Sequence, residues 1–416
     1  MTIYFFLNNG KIANKYLLMF LFIWFSNGAF SQTKIKNDSI KPYIEFLQKK
    51  KFPTAKDYIL EKFKTHNIVI LSERHHADMT QYEVIIDVIK DENFKGNVYT
   101  EVGVSNMCQK INQFLLNDKF TEEEQERELL NIYRDIDYTV VWKKYNYYHL
   151  LNEIYNINKI REPKDKILLF PTDVAFDWNE YTTPEKYTIF DNLLENSYFG
   201  LDRDVIMGKN FVRFYEFAKQ RNPQRKQALV IQNTYHAYVR IPTYLPLPSK
   251  PDIYSTGEYI YKTYPEQTFC IYINFLKSGS FDSLSNNGII DASFAYTKTD
   301  NIGFDLKNTP VGNTVFDLYN FGGNYDTVNY DYIFDGMIFY KPVTEMVLKW
   351  NIPNIYPKEW EEQYFKRMAV SYDLTVEEVK KDKNISDLKA VNVSYENKLN
   401  EDALQKIDHQ ISKWIE

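Results

Sequence analysis

Short apolar runs that end in acidic or histidine residues constrain this chain more than any other feature of its sequence. Residues 68–71 (IVIL) are four apolar residues between polar ones, which is typical of a strand buried on both faces of a sheet. Residues 79–92 place their apolar side chains on one helical stripe, and residues 98–101 (VYTE) form a second short strand. A strand, a helix and a strand in this order predict the βαβ unit of a parallel sheet.

Further apolar runs extend this pattern along the chain. Four more strands are predicted, at 166–170, 227–232, 268–276 and 332–340. Residues 106–160 have helical spacing, and Thr121 with Glu124 predicts a capping box that opens one of these helices. Residues 201–221 form another helix. We therefore expect an α/β fold, with a mostly parallel central sheet flanked by helices and a long helical insertion at about 105–165.

The last part of the chain is charged and has helical spacing. Amphipathic helices are predicted at 360–370, 374–383 and 401–415. We interpret residues 351–416 as a helical appendage to a main domain that extends from residue 32 to residue 350. The alternative is a tail that binds a protein partner. Before this part, residues 278–330 show little periodicity and are predicted to be loops.

The N-terminus predicts the compartment. Lys11 and Lys15 precede an apolar run at 16–25, and small residues stand three apart before Gln32. This is the pattern of a secretory signal peptide at 1–31, cleaved after Ser31. A permanent membrane anchor is the alternative, but the run is shorter than the roughly 20 residues that a spanning helix needs. We expect an exported protein, periplasmic or extracellular, with no membrane attachment after cleavage.

The charge of the chain bears on its partners, and its cysteine content bears on disulfides. Lys and Arg number 50 against 56 Asp and Glu, which gives a net charge of −6, and the basic residues are scattered. Nucleic acid is therefore not an expected partner. Cys108 and Cys270 are the two cysteines. An exported protein could pair them, but Cys270 lies in an apolar strand-like run, and we expect two free thiols.

Polar side chains follow the first four predicted strands. Glu73 and His76 follow the first, Glu101 ends the second, Asp173 follows the third and His236 follows the fourth. In an open α/β sheet, binding sites form outside the carboxyl ends of the strands. A single histidine there is more often structural, and a single acidic residue is often a helix cap. Their joint placement predicts a functional site.

Two kinds of chemistry suit these groups. A neutral imidazole can take a proton from water when a carboxylate orients its other nitrogen. Histidine and glutamate could also hold a divalent metal with open positions. The sequence contains no HExxH, no paired CxxC, no G-x-S-x-G, no Walker loop and no dinucleotide fingerprint. Water activated by histidine and glutamate, without a covalent intermediate, is the simpler interpretation.

Around these residues the chain resembles the erythromycin esterase-like superfamily, whose relatives include haem-binding proteins of the ChaN type. The segment IVILSERHHADMTQYEVIIDVI, followed by NVYTEVGVSN, has the family's order of strand, Glu-x-x-His, helix and strand ending in Glu. The later segments LDRDVIMGKNF, ALVIQNTYHAYV and FDGMIFYKPVTEM resemble the family's helix, its strand leading to a histidine and its closing strand. The resemblance spans roughly residues 55–345.

The resemblance implies a hydrolase that needs no metal. Carried over to this sequence, it makes His76 the general base on water and Glu73 the acid that holds it. Glu101 and His236 then line the same pocket. Arg203 and Asn210 match the family's helix and would orient an anionic intermediate, although a surface salt bridge and a helix cap are equally simple interpretations.

Several positions depart from the family pattern. Ser72 and Ala77 replace glycines on either side of Glu-x-x-His, and Gln232 stands where another histidine is common. These changes put a macrolide-specific pocket in doubt. His75, beside His76, leaves room for a different ligand.

We therefore predict an exported hydrolase that cleaves an ester or lactone-like bond of a small-molecule substrate, with no cofactor and no protein-bound metal. The predicted catalytic residues are His76, Glu73, Glu101 and His236. The predicted substrate-binding residues are Arg203, Asn210, Asp173 and His75. One alternative is a protein of the same fold that binds a divalent metal or haem through these histidines and Glu101. Another is a non-catalytic interaction protein that uses its C-terminal helices.

Overall fold

The computed structural model describes residues 33–195, 201–241, 255–277, 280–318, 328–382 and 387–416. The predicted signal peptide at 1–31 lies outside these residues. Within them, no helix combines the length and the apolar character that crossing a membrane requires.

A seven-stranded sheet forms the centre of the molecule. Its strands lie in the order β3-β2-β4-β1-β5-β7-β6, and all neighbours are parallel except β6 and β7. The strand bounds are β1 Ile68–Glu73, β2 Gly96–Val104, β3 Leu169–Asp173, β4 Gln227–Asn233, β5 Thr268–Ile273, β6 Ile302–Asp305 and β7 Gly336–Phe339. The predicted α/β class and the mostly parallel sheet are confirmed.

Helices cover both faces of the sheet. The α-helices are α1 Lys41–Lys49, α2 Ala55–Lys62, α3 Met79–Lys90, α4 Cys108–Leu116, α5 Glu122–Tyr133, α6 Tyr145–Lys159, α7 Pro184–Glu195, α8 Leu201–Arg221, α9 Thr234–Ala237, α10 Thr256–Thr263, α11 Ile289–Thr297, α12 Tyr330–Ile333, α13 Glu361–Tyr372, α14 Val376–Lys381, α15 Leu388–Val391 and α16 Glu401–Ile411.

The first strand shows why its sequence is continuously apolar. Val69 and Leu71 pack into the core on one face of the sheet, and Ile68 and Ile70 pack into the core on the other. All six residues of β1 are buried. Because helices cover both faces, no position of this strand can be polar until the strand reaches its carboxyl end.

The insertion between β2 and β3 is helical, as its periodicity predicts. It consists of α4, α5 and α6, and both hydrogen bonds of the Thr121–Glu124 capping box are present at the start of α5. The strand predicted at 166–170 begins later, at Leu169. The side-chain amides of Asn158 and Asn97 accept the backbone N–H groups of Ile167 and Leu168, in place of regular strand pairing.

Two predictions about the second half of the chain are partly wrong. The segment predicted as a strand at 332–340 instead contains the end of the short helix α12 and then the strand β7, which is shorter than predicted. Just before β7, the Asp335 carboxylate accepts the backbone N–H of Cys270. The described part of the predicted loop region 278–330 contains α11 and β6. The antiparallel strand β6 is only four residues long, too short to show a clear period.

The C-terminal part is not purely helical. Its helices α13 and α16 lie where the sequence predicts them, but residues Tyr395–Lys398 form a strand, β9, that pairs antiparallel with β8 (Val347–Trp350). All four residues of β9 are exposed, so the strand has no apolar alternation that could reveal it. The predicted appendage and the end of the predicted main domain therefore share a small second sheet.

Both cysteines are free thiols in the structure. Cys270 is fully buried in β5, and Cys108 is partly exposed at the start of α4. This is the arrangement that the sequence predicts.

Candidate active site

The sheet order places four polar strand ends side by side. Strands β3, β2, β4 and β1 are spatial neighbours in that order, although β4 comes last of the four in the chain. Glu73 at the end of β1 is in register with Asn233 at the end of β4. The side chains predicted at these ends therefore meet at one edge of the sheet.

His76 and Glu73 form a tight pair in the turn after β1. The Nδ1 atom of His76 lies 2.7 Å from Oε2 of Glu73, so the imidazole donates to the carboxylate. The second oxygen of Glu73 accepts from Tyr82 Oη and Asn146 Nδ2, both at 2.9 Å. Glu73 is thus held from both sides, and the Nε2 atom of His76 faces Glu101 Oε1 at 3.6 Å.

Glu101 faces two histidines and an arginine with one oxygen. Its Oε1 atom lies 3.6 Å from His76 Nε2, 3.4 Å from His236 Nε2 and 3.5 Å from Arg203 Nη2. Its Oε2 atom accepts the backbone N–H of Asn233 at 2.7 Å. The three distances at Oε1 exceed those of ordinary hydrogen bonds, so the contacts are mainly electrostatic.

An irregularity in β2 accompanies this placement of Glu101. The register of β2 against β3 shifts between Thr100 and Val104, and Gly103 has a φ of 103°. Such a conformation favours glycine, and a Cβ atom at Gly103 would also lie 2.8 Å from the Pro171 side chain. Bulges of this kind re-aim side chains at the ends of strands.

His236 and Arg203 each have a carboxylate partner of their own. The Nδ1 atom of His236 lies 2.9 Å from Asp204 Oδ1. Arg203 makes a bidentate pair with Asp173, at 2.8 and 2.7 Å. Bidentate pairs fix the plane of the guanidinium group as well as its position. Both cations are therefore oriented toward Glu101 before any ligand binds.

The charges shift the pKa values of the central groups. Burial lowers the pKa of the His76 imidazole, but the carboxylates of Glu73 and Glu101 raise it by more, so that it reaches about 10. Burial likewise lowers the pKa of His236, and Asp204 and Glu101 outweigh this effect and raise it. Burial raises the pKa of the Glu101 carboxyl, yet His236, His76 and Arg203 hold it well below its usual range. His76 is therefore an imidazolium in the free protein at neutral pH.

The cations, and not the carboxylates, are the groups that reach solvent. The side chains of His76, His236 and Arg203 are each 19% exposed. The carboxylates of Glu73, Glu101, Asp173 and Asp204 are at most 5% exposed. A ligand that enters this edge meets N–H donors first.

The segment between α5 and α6 contributes a wall of the site that sequence reasoning missed. The Trp142 ring lies edge-on to His76, with ring centroids 5.3 Å apart. The Lys144 ammonium lies over the Trp142 ring, 4.2 Å from its centroid. Burial raises the pKa of the nearby Asp137 carboxyl to about 6. The segment was interpreted as part of a helical stretch, and its polar and aromatic residues carried no spacing signal.

The remaining residues that sequence reasoning missed hold the central groups in place. They are Asp204 at His236, and Tyr82 and Asn146 at Glu73. Asp204 directly follows Arg203 in the sequence, so the family helix could have pointed to it. Tyr82 follows Glu73 by nine residues, on α3, but no spacing rule marks it as a partner of Glu73. Asn146 is distant in sequence, and only the packing of α6 on β1 brings it to Glu73.

Six of the eight predicted site residues meet in this cluster: Glu73, His76, Glu101, Asp173, Arg203 and His236. Asn210 lies apart, because its side chain donates to the backbone carbonyls of Thr172 and Asp173 and so ties α8 to the end of β3. His75 lies on a separate cavity of about 360 Å³, where its ring contacts Phe281 and Trp350.

The Arg203 guanidinium is the feature of the cluster that disfavours a metal cation. It lies 3.4 Å from the Nε2 atom of His236. A cation bound between the two Nε2 atoms would be repelled by this guanidinium. Among the described residues, no group of three or more His, Cys, Asp and Glu side chains has the arrangement of a metal site.

Comparison with known proteins gives matches among solved structures alone. No protein-family model matches the chain, and no curated protein matches it significantly. Similar structures include a Bacillus cereus protein, with 13% identity, coverage of 68% of this chain and 91% of that one, and a TM-score of 0.43. They also include a mutant of the erythromycin esterase EreC in its open conformation, with 11% identity, coverage of 73% and 96%, and a TM-score of 0.42.

A third similar structure is a ChaN protein. The haem-binding ChaN of Campylobacter jejuni has 11% identity, coverage of 54% of this chain and 86% of that one, and a TM-score of 0.30.

Proposed function

We propose that this protein is an exported hydrolase that cleaves an ester or lactone-like bond with water activated by His76 and Glu73. The observation that carries the proposal is the His76–Glu73 pair. Its hydrogen bond leaves the Nε2 atom of His76 directed toward the partly exposed edge of the sheet, where it lies 3.6 Å from Glu101 Oε1. A histidine that acts as general base needs this arrangement, because the carboxylate fixes the tautomer and stabilises the imidazolium that forms.

The proposed reaction has two steps and forms no covalent bond between the substrate and the protein. Neutral His76 takes a proton from water through Nε2 while the water oxygen attacks the acyl carbon. The carbonyl oxygen then carries a negative charge, which the N–H groups of His236 and Arg203 stabilise. Donors oriented in advance stabilise such charge most effectively, since they need no reorganisation during the reaction. Collapse of the intermediate breaks the ester bond, and the leaving alkoxide takes the proton from the His76 imidazolium.

The charge environment sets the pH dependence. His76 must be neutral to act as a base, and its pKa in the free protein is about 10. The rate constant kcat/KM should therefore rise with pH toward that value. Glu101→Gln removes one of the two carboxylates that raise the pKa of His76. The rising limb of the profile should then move to lower pH, whereas an unmoved limb would contradict the role of His76 as base.

The first test is a hydrolysis panel of ester and lactone substrates on the mature protein and on His76→Ala. His409→Ala is the matched control, because His409 is an exposed histidine on α16. We expect turnover without added metal in the mature protein and in the control, and its loss in His76→Ala with an unchanged circular dichroism spectrum. Equal turnover in His76→Ala would overturn the mechanism.

The same samples test the alternative of ligand binding. Metal analysis and an absorbance scan would detect a bound divalent metal or haem. Stoichiometric metal or haem without turnover, lost in His76→Ala, would replace the hydrolase proposal by a binding function. Export is tested separately by N-terminal sequencing of the protein from cells, which should begin at Gln32.

A further inference from the structure

A groove of about 690 Å³ lies at the β3 edge of the sheet, between helices α4 and α8. Its volume is in the range of sites that bind small organic ligands. The lining residues of the groove are Asn106, Cys108, Gln109, Asn112, Gln113, Leu116, Leu168, Phe170, Arg213, Phe214, Phe217 and Arg221. None of the residues in the predicted active site lines it.

The floor of the groove is apolar. Leu116, Leu168, Phe170 and Phe214 supply it, and Phe217 on α8 is 52% exposed beside them. A large aromatic side chain left this exposed beside further apolar side chains marks a surface that gains free energy when a ligand covers it. The floor therefore favours a ligand with a substantial apolar part.

The rim of the groove carries two arginines that lack a carboxylate partner among the described residues. Arg213, Phe217 and Arg221 stand four residues apart on α8 and so share one face of the helix. The Arg213 guanidinium donates to Asn210 Oδ1 at 3.1 Å and lies 4.6 Å from the Phe214 ring centroid. No acidic side chain is among the described residues that line the groove. Its charge is complementary to an anion.

The edge strand beneath the groove cannot pair with a peptide strand at Leu169. The Nδ2 atom of Asn112 donates to the Leu169 carbonyl at 2.7 Å, and its Oδ1 atom accepts the Leu169 N–H at 3.0 Å. Both backbone groups that a docking strand would use there are thus engaged by one side chain. This argues against a peptide that extends the sheet.

We propose that this groove binds a free amphiphilic anion, an acyl chain with a carboxylate head group. The chain would lie on the aromatic and aliphatic floor, and the carboxylate would accept hydrogen bonds from Arg213 and Arg221. A free amphiphile fits better than a membrane surface, because the apolar residues line a recess between two helices. The site is separate from the proposed hydrolase centre and does not depend on it.

Cys108 provides a reporter inside the groove. It is partly exposed and lines the groove, whereas Cys270 is 0% exposed and serves as an internal reference. The experiment measures the rate of Cys108 alkylation by N-ethylmaleimide in the full chain while decanoate is titrated below its micelle-forming concentration. We expect saturable protection of Cys108, equal in the wild type and in His76→Ala.

Variants identify the contribution of charge. Arg213→Gln with Arg221→Gln should weaken the protection by decanoate at least about ten-fold, because the carboxylate loses its charge-assisted hydrogen bonds. Arg127→Gln, an exposed arginine on α5, is the matched control and should change nothing. Decanol should protect much less than decanoate in the wild type.

Three outcomes would overturn the proposal. The first is no protection by decanoate at any concentration below micelle formation. The second is protection by decanol, or by decanoate in the double arginine variant, that equals the protection of the wild type by decanoate. It would show that the groove binds apolar molecules without recognising a carboxylate. The third is protection by vesicles of anionic lipid but not by free decanoate, which would assign the groove to a membrane surface.

Discussion

One helix, α8, supplies arginines to two regions of the molecule that use them in opposite ways. At the carboxyl edge of the sheet, Arg203 is locked to Asp173 by two hydrogen bonds and faces a buried glutamate. At the groove beside β3, Arg213 and Arg221 have no carboxylate partner among the described residues and lie over an apolar floor. The two regions contain the same kind of side chain, but they differ in what surrounds it.

The difference distinguishes the proposed hydrolase centre from the proposed binding groove. A cation held by buried carboxylates keeps its orientation and can stabilise charge that develops during a reaction. A cation without such a partner is available to an anionic ligand, which gains the full hydrogen bond on binding. The comparison predicts that substitutions at the carboxyl edge have large effects on rate and stability, and that substitutions at the groove have small effects on both.

The largest effect is expected from Glu73→Gln. The substitution keeps the size of the side chain but removes the charge that orients His76 and stabilises its imidazolium. Turnover should fall by about 10²–10⁴-fold, the range by which general acid–base groups contribute. Steady-state kinetics on the best substrate of the panel measures it, and thermal unfolding monitors the fold. A folded Glu73→Gln protein with normal kcat would contradict the catalytic role proposed for the carboxyl edge of the sheet.

A second contrast pairs one arginine from each region. Arg203→Met leaves the buried Asp173 carboxylate without its cation, which should lower the free energy of unfolding by about 3 kcal/mol. Arg221→Met removes an exposed charge with no carboxylate partner among the described residues and should lie within about 0.5 kcal/mol of the wild type. Urea denaturation of both variants gives the two values. Equal losses would show that the two settings do not differ as the structure implies.

The pH dependence of stability tests the charge network without any substrate. The pKa of His76 is about 10 in the folded protein, above its value of about 6.5 in an unfolded chain. A raised pKa stabilises the folded state fully below about pH 6.5, and this contribution is lost as the pH rises through about 10. The free energy of unfolding should therefore decline across that window, and His76→Asn should flatten the decline. A stability that rises over the same window would contradict the ion pairs around His76.

A modest effect on stability is expected at Asn112, which lines the groove. Asn112→Ala removes two hydrogen bonds to Leu169 and should cost about 1 kcal/mol. Hydrogen exchange should report faster exchange of the Leu169 amide, because its acceptor is lost. Slow exchange at Leu169 in the variant would mean that a group other than Asn112 protects this amide. The argument that Asn112 prevents a peptide from pairing with β3 would then fail.

Much of the fold could be predicted because its signals are local. The strand at 68–71, the helix at 79–92 and the capping box of Thr121 and Glu124 all follow from neighbouring residues, and the structure contains each of them. The strands β6 and β9 were missed, since one is four residues long and the other is fully exposed. Short or solvated strands exist through their partners, and their own sequence carries no periodic signal.

The candidate site likewise contains residues that the sequence predicts and residues that it does not. Glu73, His76, Glu101 and His236 could be found because each follows a recognisable strand, and residues at the carboxyl ends of parallel strands share one edge. Their partners could not be found so readily. Asn146 on α6 and Trp142 in the segment before it reach the cluster only because the insertion folds back over the end of β1.

The sequence by itself determined the buried strands β1, β2, β4 and β5 and the polar groups that stand at the ends of β1, β2 and β4, because burial on two faces demands apolar runs and ends them at polar residues. Only the tertiary structure decided that β4 lies between β1 and β2, which brings His236 to Glu101. It also decided that three cations converge on one carboxylate oxygen, and that the arginines further along α8 face a groove. The reason is physical: strand order and side-chain partners depend on contacts between residues far apart in the chain, and no local pattern encodes them.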